Sequence, residues 1–413
     1  MSGFAKSDGS IQSLIFNFDD KKLTIQPQVQ TWPVEVPTQT DGSFQVKIID
    51  TSGKTFEQIN FTGNLSDGVL AGDLIWDEET IPVVFTQLAS VDVSRLEKYV
   101  GVYRFDSGDI VSVLLCPSYD AGGLQFFPPG LMYTDFTSGD SRGLYPLDDS
   151  TFGIGSARVL AYPLENNRIQ FVLNDSGQVT ELQSFDVNDP TKIESASRVN
   201  YSVEEVKFTS GDGEIMSGLL TSPATTELHP AFMMMHGSEP GVKDGFGQQI
   251  LAHYMIGQGI ALLTYDKRGV GDSGGTYRES ADESNINLIA SDAVAGINYL
   301  ATRPGINSAK LGLIGGSQAG WVIPVAVMKS DKVDFFVILS GPVLSLAQEN
   351  KYSAATNDGD SVQVYDAAIF PNGDHNLNES PHGYFAEIPY SPRVLYFSEL
   401  TRWLEENNII PKE

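Results

Sequence analysis

Ser317 stands at the apex of the run Leu311-Gly312-Leu313-Ile314-Gly315-Gly316-Ser317-Gln318-Ala319-Gly320. An apolar stretch, a glycine pair and a helix-forming stretch predict strand, tight turn and helix. Such a turn lifts a serine hydroxyl out of a sheet and aims it at a substrate carbonyl, so the chemistry it suits is nucleophilic acyl transfer. Small neighbours are needed because the backbone is crowded and strained there. Gly315 precedes the serine by two, while Ala319 stands two after it, where the usual pattern has glycine, and Gly320 follows. The start of the next helix favours a developing negative charge. The alternative is a plain glycine-rich turn. The strand before it and the helix after it favour the nucleophile.

A second element is Met233-Met234-Met235-His236-Gly237-Ser238-Glu239-Pro240-Gly241, at the end of another apolar run. Its backbone N–H at Ser238, paired with that of Gln318, would form an oxyanion hole. His236 is assigned a loop-shaping role, because the base ordinarily follows the serine in this order of elements.

The elements that must position these residues form a strand–helix alternation from residue 203 onward. Glu204–Thr209 and Glu214–Thr221 read as a hairpin, and Ala231–Met235, Ala261–Tyr265, Leu311–Ile314, Phe335–Leu339 and Val362–Phe370 as strands. Gln248–Gln258, Asn285–Leu300, Gln318–Lys329 and Tyr396–Glu406 read as helices, with Leu288, Ile289, Ala293, Ile297 and Leu300 on one face of the second. Short apolar strands between helices imply a mostly parallel, doubly wound sheet covered on both faces. Residues 1–200 differ: short alternating runs such as Ser43–Ile49, punctuated by turns such as Ser66-Asp67-Gly68, predict antiparallel strands in small barrel or sandwich units. The expected division is 1–90, 91–200 and 201–413, with a helical turn near Val93–Tyr99. The aromatic patch Leu124–Gly130 is read as barrel core rather than cavity lining.

Composition narrows the partners. With 53 acidic and 26 basic residues the chain carries −27, which disfavours nucleic-acid backbones and anionic lipid. One cysteine, Cys116, excludes an internal disulfide and a thiolate cluster, and five histidines leave little for a His-rich metal site. No cofactor or metal is expected. No run approaches the roughly 20 apolar residues of a spanning helix, and the start lacks an apolar signal core. The expectation is a soluble, cytoplasmic protein as given, with export of a longer precursor open and no oligomeric state implied.

Residues 203–413 resemble a bacterial α/β-hydrolase of the dienelactone-hydrolase-like or acyl-thioesterase-like kind. The resemblance rests on His236-Gly237-Ser238, on Tyr265-Asp266-Lys267-Arg268-Gly269-Val270-Gly271-Asp272-Ser273-Gly274-Gly275, on Asp292-Ala293 with Tyr299-Leu300, and on the serine turn. Pro371-Asn372-Gly373-Asp374-His375-Asn376-Leu377 is similar to the family's histidine loop. The resemblance implies a serine nucleophile, a histidine base, an acidic partner, and cofactor-free hydrolysis of small-molecule esters or thioesters. His375 is read as the base in preference to His382, because it follows the predicted strand Val362–Phe370 in a Pro/Asn/Gly loop, whereas His382 lies further out beside prolines. Gly271-Asp272-Ser273-Gly274-Gly275 also spells a trypsin-like protease motif, but no histidine precedes residue 229 and the flanks are strand–helix, so Ser273 is read as a loop residue.

The acid is where the chain departs from the pattern. Only 58 positions separate Ser317 from His375. A helix, a strand, an acid-bearing strand, another helix and a last strand need roughly 70–80. The 341–370 region therefore reads as shortened. Asp360 or Asp358 serves from a shortened loop, Asp366 or Glu349 substitutes, or the acid is absent. Asp374 adjoins His375 in sequence, so its side chain is expected to point elsewhere. Serine hydrolase is the leading function, a binding or regulatory protein on a degenerate scaffold the alternative, and a peptidase a distant third.

Overall fold

The computed structural model describes the strands between Ser2 and Thr86 by their backbone, and then residues 88–89, 91–116, 120–121, 124–125, 130–156, 166–279, 282–339, 341 and 394–412. Eight antiparallel strands, β1 (Ser2–Ser7) to β8 (Glu79–Thr86), pair each with the next. Ser2 meets Thr86, which closes them into a barrel.

A second closed barrel joins β9 (Gly101–Phe105), β10 (Ile110–Cys116), β13 (Gly130–Asp135), β14 (Ser141–Pro146), β15 (Thr151–Ser156), β16 (Asn167–Leu173), β17 (Val179–Asp186) and β18 (Asp189–Arg198). A two-residue hairpin, β11 (Asp120–Ala121) with β12 (Leu124–Gln125), interrupts the sequence of strands. Alternation buries one face of each barrel strand, and the interior is filled by Tyr99, Tyr103, Phe152 and Phe171 among aliphatic neighbours. Tyr99 and Phe171 stack at 4.4 Å, and Tyr103 Oη donates to the Tyr99 carbonyl at 2.7 Å.

The C-terminal sheet runs in the order β19 (Tyr201–Thr209), β20 (Ile215–Pro223), β22 (Ala261–Tyr265), β21 (His229–Met235), β23 (Ile306–Gly316), β24 (Phe335–Leu339). β19 and β20 are antiparallel; β22, β21, β23 and β24 run parallel to one another. Among the described residues four helices accompany them: α1 (Phe246–Gly257), α2 (Glu283–Leu300), α3 (Ala319–Lys329) and α4 (Val394–Glu406). The sheet is thus mostly parallel and bears helices, and an antiparallel all-β region precedes it, as the sequence pattern predicts. The predicted strand Val362–Phe370 lies outside the described residues.

Helix α2 starts where Asp282 accepts from Asn285 N at 2.9 Å, an N-cap that satisfies one free donor. Its buried stripe is Ile286, Ile289, Ala290, Ala293, Ile297 and Leu300. Leu288, predicted on that face, is only partly covered and Ile286 takes its place. The chain divides into two compact units, Met1–Asp135 with Ser141–Arg198, and Phe136–Asp140 with Val199–Glu413.

One buried ion pair holds the C-terminal unit from inside. Arg268 donates through Nε to Asp292 at 3.0 Å and pairs again through Nη2. It also reaches Asp212 at 2.7 Å and Ser210 Oγ at 3.1 Å. Asp292 is fully buried on α2, while Ser210 and Asp212 follow β19, so one guanidinium ties the first hairpin, the loop after β22 and α2. Removing Asp292 takes the fully buried counter-charge from a buried guanidinium, which keeps only Ser210 and the more exposed Asp212. Asp292→Ala is therefore expected to destabilise the unit by about 3–5 kcal/mol, read as a fall on the order of 10 °C in thermal midpoint.

Candidate active site

Ser317 adopts φ 52°, a left-handed conformation that L-residues other than glycine rarely take. It lies between the end of β23 and the start of α3. Its N–H donates to the Leu339 carbonyl at the end of β24 at 3.0 Å, and its carbonyl accepts from Gly320 N at 2.8 Å. The turn is fastened on both sides, which is how a strained residue persists. Gly315 makes room: a Cβ there would lie 2.5 Å from the Met235 carbonyl oxygen and 2.7 Å from the Ala319 Cβ. The alanine at the usual glycine position is accommodated because Gly315 has no side chain.

The loop after β21 runs directly against this serine. A Cβ on Gly237 would stand 3.5 Å from the Ser317 Cβ and 2.4 Å from Glu239 Oε2. Backbone donors around the elbow divide into used and free. Gly237 N–H is taken by the Glu239 carboxylate at 3.2 Å, Ser317 N–H by Leu339, and Gly320 N–H by Ser317. The N–H groups of Ser238 and Gln318 have no acceptor among the described residues. These are the two donors that the sequence singles out for an oxyanion hole.

Lys267 sits beneath both. It is 2% exposed, and its Nζ donates to the Gly237 carbonyl at 2.5 Å, to Gln318 Oε1 at 3.0 Å and to the Glu239 carbonyl at 3.3 Å. Burial pulls its ammonium down to about 8, with Glu239 acting in the opposite direction. Tyr277 Oη donates to the Ser238 carbonyl at 2.6 Å, which fixes the next peptide. Lys267 stands in the sequence run that carries the resemblance, but its role is not visible there. The one signal is its place directly after the wholly buried strand β22 and Asp266.

His236 is 2% exposed, and its Nε2 donates to the Tyr265 carbonyl. Burial keeps its pKa below the ordinary value, so the neutral ring shapes the loop. His229 contacts Thr225 Oγ1 and the Gly259 carbonyl, and His253 contacts Tyr201 Oη. Ser273 Oγ donates to the Asp266 carbonyl at 2.6 Å and accepts from Ser217 N at 2.9 Å, a loop-stabilising pair. Asp266 accepts from Lys243 N, Lys243 Nζ and Asp272 N at 2.8, 3.1 and 3.0 Å. His375, Asp360, His382, Asp358, Asp366, Glu349 and Asp374 lie outside the described residues. No group of three or more potential metal ligands occurs among the described residues, nor does a helix long and apolar enough to cross a membrane.

The strand order, the turn at Ser317 and the loop opposite it define an α/β-hydrolase-like esterase superfamily fold with an accessory β-rich region. Residues 178–358 match the family described as Esterase FrsA-like. The chain is similar to the polyketide transferase claH of Penicillium crustosum, at 34% identity over 157 residues, which are 36% of this chain and 47% of that one. It thus spans about half the length of that relative. Among solved structures, the α/β hydrolase GrgF from Penicillium sp. sh18 is 23% identical, covering 51% of this chain and 68% of that one at a TM-score of 0.30. The Pyrococcus furiosus esterase Pf2001 is 20% identical over 38% and 60%, at a TM-score of 0.31. Overlaps of that extent carry no weight for the chemistry, which rests on the residues above.

The left-handed turn sets a stability difference between two variants of Ser317. Glycine accepts φ 52° without the Cβ clash that alanine meets. Ser317→Gly is expected to be more stable than Ser317→Ala by about 1 kcal/mol, a midpoint difference on the order of 3 °C. Equal midpoints would contradict the strained elbow.

Proposed function

We propose that this chain is a serine hydrolase that cleaves small carboxylic esters or thioesters through an acyl-enzyme on Ser317. The observation that carries the proposal is the pairing of a strained serine with two N–H groups uncommitted among the described residues, those of Ser238 and Gln318, on the loop and turn that abut it. Among the described residues no group takes a hydrogen bond from Ser317 Oγ. The base comes from elsewhere in the chain, and the sequence assigns it to His375, with Asp360 as its acid.

In that reading Ser317 Oγ attacks the substrate carbonyl while His375 takes its proton. The carbonyl oxygen gains negative charge and accepts from Ser238 N–H and Gln318 N–H. Collapse breaks the ester or thioester bond, and the leaving alcohol or thiol takes the proton from the histidine. Water, activated by the same histidine, then releases the acid and frees Ser317. The similarity to a protein named as a polyketide transferase supports a variant ending, in which an alcohol rather than water accepts the acyl group from the same intermediate.

Short-chain p-nitrophenyl esters test the proposal. Wild type is expected to hydrolyse them, and folded Ser317→Ala to lose turnover by about a thousandfold or more. An added alcohol that appears in an ester product would favour the transferase ending. Turnover that persists in Ser317→Ala, or none in folded wild type, would sink the proposal in favour of a binding role.

A further inference from the structure

We propose that Lys267 is a positioning residue of the oxyanion site, its ammonium group holding the loop after β21 and the serine turn in one register. The inference rests on the reading of Ser317 as nucleophile.

The peptide between Gly237 and Ser238 is planar and trans, so its C=O and N–H point in opposite directions. Lys267 Nζ takes the Gly237 carbonyl, and this directs the Ser238 N–H away from the lysine. The same nitrogen takes Gln318 Oε1, which anchors the residue whose backbone N–H is the second free donor. A third bond goes to the Glu239 carbonyl. An ammonium has three donors and no acceptor, and it meets three oxygens. The side-chain amide of Gln318 is thereby oriented, because only its oxygen can face a lysine. Its Nε2 is buried without a partner among the described residues.

The arrangement has a cost that a purely structural device would avoid. A buried cation is unfavourable, and an apolar residue of similar volume would fill the position. Removing it would take this donor from the Gly237 carbonyl and from Gln318 Oε1, while the Glu239 carbonyl would keep Gly241 N–H; the Gly237–Ser238 peptide would be able to rotate, since glycine permits either orientation.

Charge state should therefore matter. A neutral amine offers two donors and a lone pair, and the lone pair would face a carbonyl oxygen. Among the described residues the titratable groups around Lys267 are Glu239 and His236 on the β21 loop, and Asp266 and Tyr277 on the loop after β22. The unfolded chain keeps the ordinary lysine value of 10.5, whereas the folded lysine titrates near 8. Between these values the unfolded chain binds more protons, so the contribution of Lys267 to stability rises with pH. Turnover should move the other way, falling as the third donor is lost. Opposite trends separate positioning from simple unfolding.

The test uses the full chain: p-nitrophenyl acetate hydrolysis from pH 6 to 10 with thermal midpoints over the same range, for wild type, Lys267→Met and Gln318→Met. Wild-type kcat is expected to fall above about pH 8, a limb absent from Lys267→Met. At pH 7 that variant should lose about tenfold or more in kcat, with KM within about threefold. Gln318→Met, which keeps its backbone N–H, should lose less. The midpoint of wild type minus that of Lys267→Met should rise between pH 8 and 10. Wild-type kcat with the alkaline limb intact in folded Lys267→Met would overturn the inference. So would a flat midpoint difference, which is read without any turnover. No Ser317-dependent hydrolysis by wild type would instead overturn the underlying reading of the site.

Discussion

The C-terminal unit is organised around one backbone conformation, the left-handed φ of Ser317. An L-residue holds it at a cost of about 1–3 kcal/mol, and only surroundings that over-determine the turn can sustain it. Those surroundings are specific. Leu339 closes the N–H side and Gly320 the carbonyl side. Gly315 leaves space for the Met235 carbonyl and the Ala319 methyl. The neighbouring strands β21, β23 and β24 thus together fix a single serine.

The loop after β22 does the rest of the positioning with consecutive residues. Asp266 gathers Lys243 and Asp272, Lys267 reaches the serine turn, and Arg268 reaches back to α2 and the first hairpin. The sheet places their backbone, and each side chain leaves in a different direction. Stability is concentrated on Arg268, whose pairing is complete and buried. Lys267 works near the limit of what burial allows a cation.

The strands and helices of the C-terminal half were legible because their signals are local. β22 and β24 span the apolar runs Ala261–Tyr265 and Phe335–Leu339 as read from the sequence. β23 begins earlier than the apolar run, at Ile306, because Asn307–Lys310 form a largely uncovered stretch where the register with β21 shifts, and they leave no apolar trace. Barrel closure in the first half was not legible: alternation predicts strands, but closure depends on long-range pairs such as Ser2 with Thr86. The serine turn was readable from its small residues and flanking elements. Lys267 and Glu239 were not, since their partners are set by loop conformation and not by spacing. His375 and Asp360 belong to a part of the chain where the sequence pattern alone speaks.

The central claim is that Ser317 Oγ is a nucleophile. Intact-protein mass spectrometry after exposure to a fluorophosphonate, followed by peptide mapping, tests it most directly. The account predicts one adduct, on Ser317, formed by folded protein and prevented by prior denaturation. An unmodified Ser317 in folded protein, or an adduct confined to another serine, would contradict it.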